Sequence, residues 1–159
     1  MAHGLRPILI LLALAVVGAL GIGAWATSPD RLGARLADAM PGPFTADVLE
    51  VVDGDTLEVR VMIWLGQEVV TRVRLVGIDT PELRGDCDDE KRKAAAARDL
   101  LARLVAGGTV TLRDVRYDKY GGRVLALVST ADGRALTDQL IAAGLARPYD
   151  GKARVGWCG

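Results

Sequence analysis

Between Phe44 and Ser129 the chain is cut into short runs rich in β-branched residues, each ended by glycine or by an Asp-Gly pair. Phe44–Val52 and Thr56–Trp64 flank Asp53-Gly54-Asp55. Leu65-Gly66-Gln67 leads into Val69–Ile78, and Thr109–Val115 and Arg123–Ser129 come later. Such residues fit a pleated, half-buried surface, and the alternation of apolar with polar positions is that of strands with one face on a core. Between the third and fourth runs the period changes. Ala94, Ala97, Leu101, Leu104 and Val105 make one apolar face among Lys and Arg, a helix that starts near Asp86 or Asp88 and stops at Gly107-Gly108. A second helix is expected over Ala135–Ala143, with Gly144 just past its end. The order β-β-β-α-β-β-α is mainly β with α, without an internal repeat. Five short strands in so small a domain suit a closed or nearly closed barrel. A five-stranded OB-fold barrel with two helices is therefore the expected architecture.

A different kind of segment precedes it. Pro7 to Ala26 is twenty residues without a charge, and Arg6 is the one charged side chain before it. As a helix this stretch would reach about 30 Å, the thickness of a bilayer's hydrocarbon layer. It has no polar face, so it does not read as a core helix with a solvent side. Ala24-Trp25-Ala26 has the small-x-small form of a cleavage site, yet the apolar run exceeds the ~7–15 residues usual for a cleaved leader. Residues 1–26 thus read as a signal peptide or a membrane anchor. Either places the rest of the chain outside the cytoplasm, as a periplasmic or extracellular protein or one anchored in the membrane and facing outward. Residues 27–43 read as a linker: Ser28-Pro29 can start a short helix with Leu32, Leu36 and Met40 at intervals of four, and Pro41-Gly42-Pro43 stops it. The domain then runs from 44 to 159.

Charge and cysteine content narrow the chemistry. The chain has 20 basic and 20 acidic side chains, and without Arg6 the exported part has 19 against 20. A broad basic surface that coats nucleic acid is excluded, so any such contact is local. His3 is the sole histidine and lies in the leader, which leaves Cys87 and Cys158 too few for a structural zinc site. Outside the cytoplasm a Cys87–Cys158 disulfide is the natural reading, closing a long loop for up to about 4 kcal/mol in the chain-entropy model. Two unpaired thiols are the alternative. A monomer is expected.

Asp53 and Asp55 flank a glycine, which alone is ordinary turn chemistry. Asp79-Thr80-Pro81-Glu82 is more unusual. Pro81 pushes Thr80 into an extended conformation, from which its carbonyl can stand beside the Asp79 carboxylate. With Asp55 these are hard oxygen donors of the kind that hold Ca²⁺, at the ~10⁻⁴–10⁻³ M affinities of extracellular modules. Arg74 lies five residues before Asp79, on the opposite face of a straight strand, so a turn or bulge near Gly77 is needed to bring the two together. Arg123 opens the last strand. Each feature alone has a plain structural reading: a capped strand end, a solvated arginine, a rim arginine. Together they supply metal ligands, an acid–base carboxylate and two guanidinium forks.

Four stretches, Asp-Gly-Asp-Thr at 53–56, Arg-Leu-Val-Gly-Ile-Asp-Thr-Pro-Glu from Arg74, Asp-Lys-Tyr-Gly-Gly-Arg at 118–123 and the segment from Asp132 to Ala146, resemble the thermonuclease family, also called staphylococcal-nuclease-like. The likeness covers residues 44–150 in order. It implies an OB-fold barrel and a Ca²⁺-dependent nuclease acting on DNA and RNA, mainly single-stranded. By position it implies Asp55, Asp79 and the Thr80 carbonyl as metal ligands, and Arg74, Glu82 and Arg123 as the catalytic trio. Lys119 and Tyr120 fall at a terminal phosphate, and Tyr149 where an aromatic packs on the nucleotide. One departure is the second glycine before Arg123, where the family's shorter turn is Tyr-Gly-Arg. The other is a chain that stops ten residues after Tyr149 in place of a long final helix.

Two readings without catalysis compete: an OB-type module that carries single strands, and an envelope-anchored interaction domain. A strand carrier uses aromatic platforms and a basic groove. Here Phe44, Trp64, Tyr117, Tyr120, Tyr149 and Trp157 are the domain's aromatics and its charge is near zero. An interaction domain leaves the carboxylate and arginine cluster unexplained.

Overall fold

A computed structural model describes residues 39–158. The leader 1–26 and the helix expected from Ser28, apart from Met40, lie outside the described residues. Seven strands and two helices follow: β1 Phe44–Val51, β2 Thr56–Trp64, β3 Gln67–Leu75, β4 Ile78–Asp79, α1 Asp88–Leu104, β5 Thr109–Tyr117, β6 Arg123–Thr130, α2 Leu136–Ala142 and β7 Arg147–Pro148. The five long strands close into a barrel in the order β1-β2-β3-β6-β5. β1, β2 and β3 form an antiparallel meander, β5 pairs antiparallel with β6 and with β1, and β3 meets β6 in parallel.

Alternate residues of these strands fill the barrel. Leu57 and Val59 of β2, Val73 and Leu75 of β3, Val110 and Leu112 of β5, and Ala126 and Val128 of β6 are buried. α1 lays Ala94, Ala97 and Leu101 against them, while Leu136 and Leu140 of α2 complete the core. Spacings of three and four put each set on one face of its helix. Asp88, Asp89 and Glu90 crowd the first turn of α1, where the helix dipole favours negative charge.

Two details differ from the sequence expectation. The third run is broken: β3 ends at Leu75, Val76-Gly77 turns with Gly77 at φ +85°, and a separate β4 follows. That is the turn needed near Gly77, and few residues other than glycine adopt such a φ. β7, absent from the pattern read along the sequence, pairs with β4. Residues just ahead of β1 are also bonded to the barrel. Met40 and Val115 exchange backbone hydrogen bonds of 2.7 and 2.8 Å, and Asp114 N–H donates to Pro41 O, so the end of the linker is stitched to β5 where that strand bulges.

Candidate active site

The Asp53-Gly54-Asp55 turn, the end of β3, the β4 loop and the C-terminal tail meet at one end of the barrel. Asp53 Oδ1 accepts the Asp55 N–H at 3.1 Å, which fixes the turn. Pairing of Thr56 with Arg74 across β2 and β3 then sets the arginine beside it. Arg74 Nη1 donates to Asp55 Oδ1 at 2.9 Å, and Nη2 lies 2.6 Å from Oδ2. Thr56 Oγ1 also donates to Asp55 Oδ1. Burial pushes the Asp55 carboxyl up, to about 7, further than the Arg74 guanidinium pulls it down.

Asp79 and Thr80 are buried as well. A Cβ added to Gly54 would stand 3.3 Å from Thr80 Cβ, so the turn that holds Asp55 abuts the loop that holds Asp79. The Asp79 carboxylate is engaged from the tail. Trp157 Nε1 donates to Oδ2 at 3.0 Å, Arg147 Nη2 lies 3.5 Å from Oδ2, and Arg154 Nε lies 3.0 Å from Oδ1. Arg154 Nη1 donates to Glu82 Oε1. Burial works against the charge of Arg154. The hydrogen bond to Glu82 and the charges of Asp79, Glu82 and Asp55 outweigh it and hold the pKa above its ordinary value. Two carboxylates, Asp79 and Glu82, thus meet on one guanidinium.

Glu82 itself is half exposed, on a loop held by a residue the sequence reading passed over. The buried Glu90 carboxylate accepts the Glu82 N–H through Oε1 and the Asp86 N–H through Oε2, each at 3.2 Å. An acidic residue in a first helical turn reads as dipole chemistry, and nothing local marks it as a brace. Arg147, Arg154 and Trp157 were missed too. The disulfide was their available signal, because a Cys87–Cys158 bond draws the tail to the start of α1 and hence to the Asp79–Glu82 loop. The bond is present.

Arg123 is not brought to the carboxylates. Its Nε donates to Asp118 Oδ2, and its guanidinium lies over the Tyr120 ring at 5.4 Å. Lys119 Nζ stands over the same ring at 5.1 Å. Gly122 sits at φ +84° in this turn, and Arg123 bonds to Asp118 at the turn's foot. Arg74 and Arg123 nevertheless share one wall, since the parallel register sets Arg72 beside Arg123 and Arg74 beside Leu125. Tyr149 does come to the site: it lines a recess with Gly77, Asp79, Arg147 and Arg154, although its hydroxyl donates to Lys152 O.

The donor set fits a hard divalent cation. Asp79 Oδ1 is buried and accepts no hydrogen bond among the described residues, since Arg154 Nε approaches it out of line. Such an oxygen costs free energy unless a cation takes it. Arg74 Nη2 is likewise buried and, though 2.6 Å from Asp55 Oδ2, makes no aligned hydrogen bond among the described residues.

A family model described as staphylococcal nuclease homologue matches residues 72–155, from β3 through the tail. The chain belongs to the staphylococcal nuclease family. Two relatives carry the name uncharacterized endonuclease, one from Escherichia coli and one from Escherichia coli O157:H7. Each is 36% identical over 103 residues, which is 65% of this chain and 60% of the relative. The matched part therefore spans about 60% of those proteins' length. The end of β3, β4 to β7, both helices and Arg74, Asp79, Glu82 and Arg123 lie within the matched residues, while β1, β2 and Asp55 precede them.

Proposed function

We propose that the chain is an exported, Ca²⁺-dependent nuclease that hydrolyses phosphodiester bonds of DNA and RNA with little base preference. One observation carries this: Asp79 and Glu82 hold one guanidinium between them, and the Gly54 turn beside Thr80 brings up Asp55 with the Arg74 fork on it, in a chain of this family. Asp55, Asp79 and the Thr80 carbonyl would hold the ion. Bound there, Ca²⁺ would act as a Lewis acid toward the scissile phosphate.

The chain's own groups supply the rest. Glu82 is exposed enough to meet a water and takes its proton as that water attacks phosphorus. Arg74 donates to the phosphate oxygens as charge accumulates, and its planar fork suits two of them. Arg123 would join on the leaving-oxygen side after leaving Asp118. Lys119, Tyr120 and Tyr149 would hold flanking phosphate and base. These groups address phosphate rather than base edges, so little sequence preference follows.

The test is cleavage of single-stranded DNA and of RNA by the full-length chain in detergent, with Ca²⁺ and then with chelator. Cutting that chelation stops and Ca²⁺ restores is the expected result; cutting that chelation leaves untouched sinks the metal assignment. The Arg123–Asp118 pair favours a second reading, a module that binds strands without cutting them. Retained strand binding with no cutting would select it.

The Asp55 carboxyl adds a pH prediction. A proton and a cation compete for it, so Ca²⁺ affinity should rise as pH goes from about 6 to 8 and level off above. Without the cation the sign for stability is opposite. The folded-state pKa is raised from 3.8 to about 7, so this group's stabilising contribution is present below 3.8 and lost as pH rises to about 7. Calorimetric titrations and melting curves across this range check both; an affinity flat with pH would remove Asp55 from the ligand set.

A further inference from the structure

The tail from Asp150 to Gly156 has no regular secondary structure but is fastened at both ends. Upstream, β7 pairs with β4, and Tyr149 N–H donates to Gly77 O at 2.9 Å. Downstream, Cys158 is bonded to Cys87 at the N-cap of α1. Within this span Arg147 binds the strap to itself: its guanidinium donates to Val155 O and Gly156 O and stacks 3.7 Å from the centroid of the Trp157 ring. The strap therefore has one place to lie, and that place sets Arg154 on Asp79 and Glu82.

We propose that Arg154 is a built-in competitor for the divalent cation, occupying the carboxylates until the ion displaces it, so that the disulfide-fastened strap sets the metal affinity of the site. This rests on the reading of Asp55, Asp79 and Thr80 as metal ligands. A guanidinium and a divalent cation cannot share one carboxylate oxygen at contact distance without strong repulsion. Tethering raises the competitor's effective concentration far above that of a free cation, so affinity falls by a constant factor even though every ligand is in place. The misaligned approach to Asp79 Oδ1 is consistent with a stand-in: Arg154 supplies charge there but not a directed bond. Its fork engages Glu82 as well, so entry of the ion and release of the base are one event. Lys152, by contrast, pairs with Asp150 within the strap.

The experiment is Ca²⁺ titration by calorimetry on the full-length chain in detergent, a readout that does not depend on catalysis. Arg154→Gln should bind at least ten-fold tighter than the unaltered protein, and Lys152→Gln should not. The Cys87→Ser, Cys158→Ser pair, which frees one end of the strap, should also tighten binding, and adding Arg154→Gln to it should give little more. Near-ultraviolet circular dichroism shows that each variant is folded. Affinity unchanged or weaker in Arg154→Gln, with binding intact elsewhere, overturns the competitor and leaves the metal site standing. No binding by any variant overturns the metal site, and the competitor with it.

Discussion

Replacing Glu82 with glutamine is expected to lower the rate of phosphodiester cleavage by about 10²–10⁴-fold, the usual worth of a positioned general base. An amide has the same shape but cannot take a proton from water. The backbone bond from Glu82 N–H to Glu90 stays, because it does not involve the Glu82 side chain. Fold and Ca²⁺ affinity should therefore hold while turnover falls. The amide oxygen can still accept from Arg154, which also keeps its contact with Asp79. Turnover measured at saturating Ca²⁺ decides it. A variant that cuts at near the original rate would remove Glu82 from proton transfer and leave the arginines and the ion as the catalytic groups.

Replacing Gly54 with valine is expected to cost about 1–3 kcal/mol, the usual range for forcing extra methyl groups into a packed interior. Gly54 is not in the left-handed region of backbone space, so the chain conformation alone would accept a side chain. Space is what forbids it. A Cβ there would stand 2.8 Å from Ala97 Cβ on α1 and 3.3 Å from Thr80 Cβ and Oγ1. Either the helix or the Thr80 loop must retreat, and the second moves the proposed ligand Thr80 away from Asp55. The denaturant midpoint should fall with an unchanged slope, and Ca²⁺ affinity should weaken with it. An unchanged midpoint would show that the contact between the turn and the helix is looser than it stands here.

Much of this arrangement was legible along the chain because it is written in local pattern. Runs of alternating residues gave the barrel strands, the Ala94-Ala97-Leu101 spacing gave α1, and the geometric conflict between Arg74 and Asp79 located the turn at Gly77. Asp55, Asp79 and Thr80 stood out because Asp-Gly-Asp and Asp-Thr-Pro-Glu concentrate hard oxygens at strand ends. What stayed hidden depends on partners far away in sequence. The Trp157–Asp79 bond spans 78 residues and the Arg154–Glu82 bond 72, and a tail without periodicity shows no trace of either. β7 has two residues, too few for any alternation to register. Arg123 shows the converse limit. Its motif is local and plain, yet the partner it takes is Asp118, five residues back in the same turn.

The parallel seam between β3 and β6 has a kinetic consequence. The β2–β3 hairpin and α1 rest on neighbours in sequence and can form early, but the seam joins segments on either side of α1 and must close a long loop first. Arg74 and Arg123 share a wall only after that closure. During refolding, regain of the proposed cleavage should therefore time the sealing of the barrel, later than the return of helix and hairpin signals.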